Sequence, residues 1–153
     1  MKMIVTKIEI SATPERIWSI LLDFPNYSLW NPFIREISGT ARKGGSLRVM
    51  MTLSEQKAMT FRPTVLIVES ERECRWRGRL IIPGVFDGEH YFQVEPLGPS
   101  QTVLVHGEDF SGVFAGMFLS RMRDPVRDAF MAMNRALKER AEKAPNTDSL
   151  RTS

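Results

Sequence analysis

The chain has 153 residues, 42% hydrophobic and 25% charged, with a formal net charge of +3. That balance suits one folded domain with a sizeable core and excludes a low-complexity or disordered chain. A single cysteine excludes an internal disulfide framework, no apolar run approaches a membrane span, and the alternating N-terminus lacks signal-peptide character. A cytoplasmic protein without membrane insertion is expected.

Residues 3–10 alternate, with Ile4, Thr6, Ile8 and Ile10 on one face, the pattern of a half-buried strand. Thr13-Pro14-Glu15 then reads as a helix start, because threonine caps, proline fits the first turn and glutamate favours the N-terminal dipole. A second short helix is expected over 26–30, before Asn31-Pro32 turns the chain. Strands follow over 33–38 and 47–53, flanking the glycine turn at 44–45, then over 61–69 and 73–82. A hairpin over 89–95 and 102–110 turns near Gly98. The last element is a helix over about 113–143, with Phe118, Met122, Val126, Phe130, Met133 and Leu137 forming one apolar stripe. Pro125 should kink or break it. A domain over 1–144 and a disordered tail over 145–153 are expected.

This order predicts an α+β fold: a seven-stranded curved antiparallel sheet around a long C-terminal helix, with two short helices between strands 1 and 2. A curved sheet holding one helix cannot close completely, so a cavity is expected near its mouth. The stretches Ile8-Glu-Ile-Ser-Ala-Thr-Pro-Glu-Arg-Ile-Trp18 and Trp30-Asn-Pro-Phe33 resemble the START and birch-pollen-allergen superfamily, which includes polyketide cyclase-like proteins. Trp76-Arg-Gly-Arg-Leu80, Gly88-Glu-His-Tyr-Phe92 and His106-Gly-Glu-Asp-Phe-Ser-Gly112 agree with it. The resemblance implies a helix-grip fold with a deep apolar cavity. It also implies a ligand that is a lipid, sterol, hormone or polyketide, with cyclisation or ring hydroxylation in some members. Fold alone does not choose among these.

Alternation places His90 and Phe92 on one face of the hairpin's first strand, and Leu104, His106, Glu108 and Phe110 on one face of its second. A turn near Gly98 sets His90 opposite or diagonal to His106. Two imidazoles and a carboxylate in an apolar pocket suit ligand hydrogen bonding or proton transfer. They equally suit mutual satisfaction. Trp76, Phe114, Phe118, Met122 and Phe130 are expected to complete the wall, and Tyr27 and Asn31 to lie near one edge. Cys74, inside a strand pattern, reads as an inert buried thiol. Arg75, Arg77 and Arg79 form an outer stripe balanced by Glu69, Glu71 and Glu73, without interleaved aromatics, so no nucleic-acid partner is expected. Metal and cofactor are not expected either: no ligand pair has the required spacing, and Gly44-Gly45-Ser46 leads into a strand instead of a helix.

The sequence therefore favours a binding protein for a small, mainly hydrophobic molecule, lipid-like or polyketide-like. A cyclase or dehydratase using His106 and Glu108 is the alternative, and a macromolecular interaction module the weaker one.

Overall fold

A computed structural model describes residues 2–53, 58–79 and 86–143. The expectations for residues 80–85 and 145–153 lie outside them. Strand β1 spans Met3–Ile10 and helix α1 spans Pro14–Leu22. The Thr13 side chain accepts the Arg16 amide at the start of α1, as the threonine–proline pair predicts. A 3₁₀ turn, Phe24–Asn26, runs into the short α2, Tyr27–Trp30. Strands β2 (Ile34–Gly39) and β3 (Leu47–Met51) form the expected hairpin, whose turn needs the positive φ of +83° at Gly44.

The strand expected over 61–69 is two strands, β4 (Met59–Phe61) and β5 (Thr64–Glu69). Pro63 lies between them, and a residue without an amide hydrogen cannot continue a ladder. Strands β6 (Glu73–Arg79), β7 (Asp87–Gly98) and β8 (Gln101–Ser111) follow. The described strands are arranged as one five-stranded sheet, ordered β1-β8-β7-β6-β5, and one three-stranded sheet, β2-β3-β4, in place of a single seven-stranded one. The β2–β3 turn stitches the two together. Gly44 donates to the Val65 carbonyl, and the Val65 amide returns a bond to Gly45, each at 2.8 Å.

Helix α3, Ala115–Glu142, lies against the concave face and buries Leu119, Val126, Phe130, Met133, Leu137 and Ala141 at three- and four-residue spacing. Pro125 does not break it. Pro125 and Arg121, whose carbonyl loses its partner, are both exposed, so water can take up the freed acceptor. The far end of α3 is tied down: the Arg16 guanidinium reaches the Arg140 and Ala141 carbonyls, and Glu142 accepts the Ser11 amide. This is a helix grip, with curved antiparallel strands closed on a long C-terminal helix.

Candidate functional site

Antiparallel pairing lines up the inward side chains in rows across the sheet. One row is Trp76–His90–Glu108–Ile4, and the next is Cys74–Phe92–His106–Thr6. His90 thus lies diagonal to His106, as the hairpin turn predicts. On the other side of the Trp76 row stand Gly78, Gly88 and Phe110. The paired glycines bring no side chains, and a Cβ added at Gly78 would meet nothing within 4 Å. A cavity of about 160 Å³ opens there.

Three elements close it. The large sheet supplies Trp76, Glu108 and Phe110; the small sheet supplies Val49, Met51 and Phe61; α3 supplies Phe118, Val126 and Phe130. Glu108 is the only ionisable side chain on the described wall. Gly88 makes room for it, because a Cβ at that position would sit 2.9 Å from Glu108 Oε1.

Of the expected site residues, the structure brings Trp76, Glu108, Phe110, Phe118 and Phe130 to the cavity. The others stand elsewhere. Phe92 and Leu104 are packed into the core beyond the cavity, at 1% and 0% exposure. Phe114 is the exposed N-cap of α3, and Met122 packs against the core without lining the cavity. Tyr27 is buried with its hydroxyl donating to the Leu21 carbonyl, and burial pushes its phenol well up. Asn31 Oδ1 accepts the Phe33 and Ile34 amides, so its oxygen caps the turn into β2.

His90 and His106 lie just behind the wall, fully buried. Their Nε2 atoms are 2.8 Å apart, and His106 Nδ1 is 2.8 Å from Asn134 Oδ1. Asn134 donates to Thr6 Oγ1, and Thr6 donates to the His106 carbonyl, each at 2.8 Å. Burial, reinforced by His90, holds His106 well below the ordinary imidazole value, against the opposing pull of the Asn134 bond. His106 is therefore a neutral ring, stacked on Phe130 at 4.2 Å between centroids. The stripe reading of α3 missed Asn134. It stands four residues after Phe130 and three before Leu137, so a polar residue at core spacing was the available signal. The small-sheet wall was missed because nothing local to β3 and β4 says that they fold over the larger sheet.

Cys74 is buried, and burial, with Glu73 adding to it, pushes its thiol up to about 12, which fits an inert thiol. On the outer face, the partners of Arg75 are Glu73, Glu89 and Asp109, and Arg77 pairs with Glu89. Of the three glutamates expected to balance the stripe, Glu73 does so among the described residues. Contrary to expectation, an aromatic ring does lie on this face: the Arg75 guanidinium stacks 4.3 Å over Tyr91. Among the described residues, no helix is long and apolar enough to cross a membrane.

A family model described as polyketide cyclase / dehydrase and lipid transport matches residues 1–144. The chain is similar in structure to a START superfamily protein from Mycobacterium smegmatis, at 25% identity and a TM-score of 0.72, covering 92% of this chain and 97% of that one. It is also similar to the Zhui aromatase/cyclase from Streptomyces sp. R1128, at 18% identity and a TM-score of 0.70, over 92% and 93% of the two chains. A norcoclaurine synthase from Thalictrum flavum shares the fold at 14% identity and a TM-score of 0.65, over 91% and 92%. No curated protein matches by sequence.

Proposed function

The chain belongs to the polyketide cyclase / dehydrase and lipid transport family, and on that premise we propose that it binds one small, mainly hydrophobic molecule, lipid-like or polyketide-like, in the cavity beneath α3. The observation that carries this reading is an aromatic and aliphatic cavity with one carboxyl on its described wall. Apolar walls supply affinity by removing ligand surface from water, and a single polar group orients what is bound. Trp76, Phe110, Phe118 and Phe130 hold the apolar body, and Glu108 takes the polar group, with His90 and His106 behind it as support.

Native mass spectrometry of the purified protein, followed by denaturation and organic extraction, tests this reading. A stoichiometric apolar metabolite supports it. A clean apo mass, unchanged by a panel of lipids and aromatic polyketides, overturns it.

A second reading has one observation in its favour: Glu108 stands 3.6 Å from His90 Nδ1, and His90 Nε2 is 2.8 Å from His106. That arrangement suits a cyclase or dehydratase in which Glu108 moves a proton at the bound substrate. Glu108→Gln separates the two. Loss of turnover with affinity kept points to catalysis; no turnover in the parent protein leaves binding as the activity.

A further inference from the structure

Two polar groups, one on the cavity wall and one just behind it, lack hydrogen-bond partners among the described residues. His90 Nδ1 is buried without one, 3.6 Å from Glu108 Oε1. That distance is within ion-pair range but longer than a hydrogen bond. The Glu108 carboxyl, 20% exposed on the cavity wall, makes no hydrogen bond among the described residues.

The groups behind them set their polarity. A backbone carbonyl only accepts, so the Thr6 hydroxyl must donate its proton to His106. Thr6 Oγ1 then accepts from the Asn134 amide nitrogen, which turns Asn134 Oδ1 toward His106. His106 Nδ1 carries the hydrogen that reaches that oxygen. Its Nε2 is therefore a lone pair, which His90 Nε2–H fills. His90 spends one hydrogen on this chain and keeps Nδ1 facing Glu108. If Nδ1 also carries a proton, it faces a carboxylate. If it does not, it is itself an acceptor. A proton held on Oε1 points back at Nδ1 and leaves the other carboxyl oxygen accepting. With the carboxyl ionised, or with its proton on Oε1 turned back toward His90, the group turned to the cavity asks for a hydrogen and offers none. The one side chain with an N–H on the described wall is Trp76, a single neutral donor.

We infer that the cavity selects aromatic molecules that bring a hydrogen-bond donor, a hydroxyl or a protonated amine, and discriminates against carboxylates such as ionised fatty acids. The inference rests on the proposed binding function and assigns the class of ligand. The wall favours an aromatic body because the rings of Phe33, Phe61, Trp76, Phe110, Phe118 and Phe130 surround the space. A protonated amine gains further from ring faces beside a carboxylate. A ligand carboxylate meets the Glu108 charge in a poorly solvated space, where repulsion is weakly screened.

Equilibrium dialysis at about pH 7.5, where a carboxylic acid is ionised and a naphthol is neutral, compares 2-naphthol, naphthalene and 2-naphthoate. The hydrocarbon reports on the apolar cavity alone. The expected result is 2-naphthol bound about tenfold or more tightly than naphthalene, and 2-naphthoate about tenfold or more weakly than 2-naphthol. In Glu108→Leu the naphthol advantage over naphthalene disappears. In Glu108→Gln the side-chain amide can donate to His90 and leave its carbonyl to the cavity. That variant keeps the naphthol advantage while the naphthoate penalty shrinks. Circular dichroism checks that the variants fold, and the wild-type ranking decides even where one does not. Naphthoate bound as tightly as naphthol, or naphthalene as tightly as naphthol, overturns the donor rule while leaving the cavity a binding site. No binding of any of the three overturns the binding reading itself.

Discussion

The two ends of the space between sheet and helix are built on the same strands and differ in what fills them. At one end Phe92, Leu104, Met133 and Leu137 leave none of their number more than 1% exposed. At the other, Gly78 pairs with Gly88 and the space is hollow. Between them stands a polar layer: His90, His106, Asn134 and Thr6, all buried and linked by bonds of 2.8 Å. Buried polar groups are tolerated where their bonding is complete. In this layer it is complete except at His90 Nδ1, on the side toward the hollow. The packed end supplies stability, the hollow end is the proposed binding site, and the polar layer is where one gives way to the other.

The largest test of this division compares two phenylalanines. Phe92→Ala empties a close-packed site and should cost about 3–5 kcal/mol in urea unfolding. Phe61→Ala, on a half-buried ring beside an existing void, should cost about 1 kcal/mol. Equal losses would erase the distinction between the ends.

A smaller effect comes from the polar layer. His106 is neutral in the fold, while in the unfolded chain it takes up a proton below about pH 6.5. The unfolded state then binds more protons, so stability rises with pH in that window. Conversely, it is complete above about pH 6.5 and lost as pH falls below that value toward the depressed folded value. The slope from this residue is at most about 1.4 kcal/mol per pH unit. Urea midpoints measured down to about pH 5 should fall in the parent protein and show a weaker dependence in His106→Gln. A midpoint that does not move over that range would mean that His106 titrates alike in both states.

The smallest effect is on the outer face of the same strands. Arg77 and Glu89 meet at 2.7 Å, but their side chains are 41% and 26% exposed. Arg77→Ala should cost under about 1 kcal/mol, less in high salt. A loss as large as that of Phe92→Ala would show the outer face to be a second structural core.

Much of this was legible in local chemistry. Alternation gave β1 and both hairpin faces, Thr13-Pro14 gave the start of α1, and the turn near Gly98 gave the diagonal histidines. Those signals act over a few residues. What escaped depends on groups distant in the chain. Asn134 acquires its role from Thr6, 128 residues away. The small sheet becomes a wall only because its turn pairs with Val65. Glu108 reaches the cavity because position 88, on the neighbouring strand, carries no Cβ. Pro63 was a local signal, and its lack of an amide hydrogen would have divided the strand expected over 61–69.

The glycine pair also bears on how such a site changes over generations. Part of the room comes from Gly78, where a hydrogen atom stands in place of a methyl group. A Gly78→Ala exchange needs one base change and puts a methyl into open space, so a smaller guest is one step away. The same exchange at Gly88 would press on Glu108 instead, trading the polar contact for bulk. Neither position has anything left to remove, so adaptation to a larger guest must come from the helix or the small sheet.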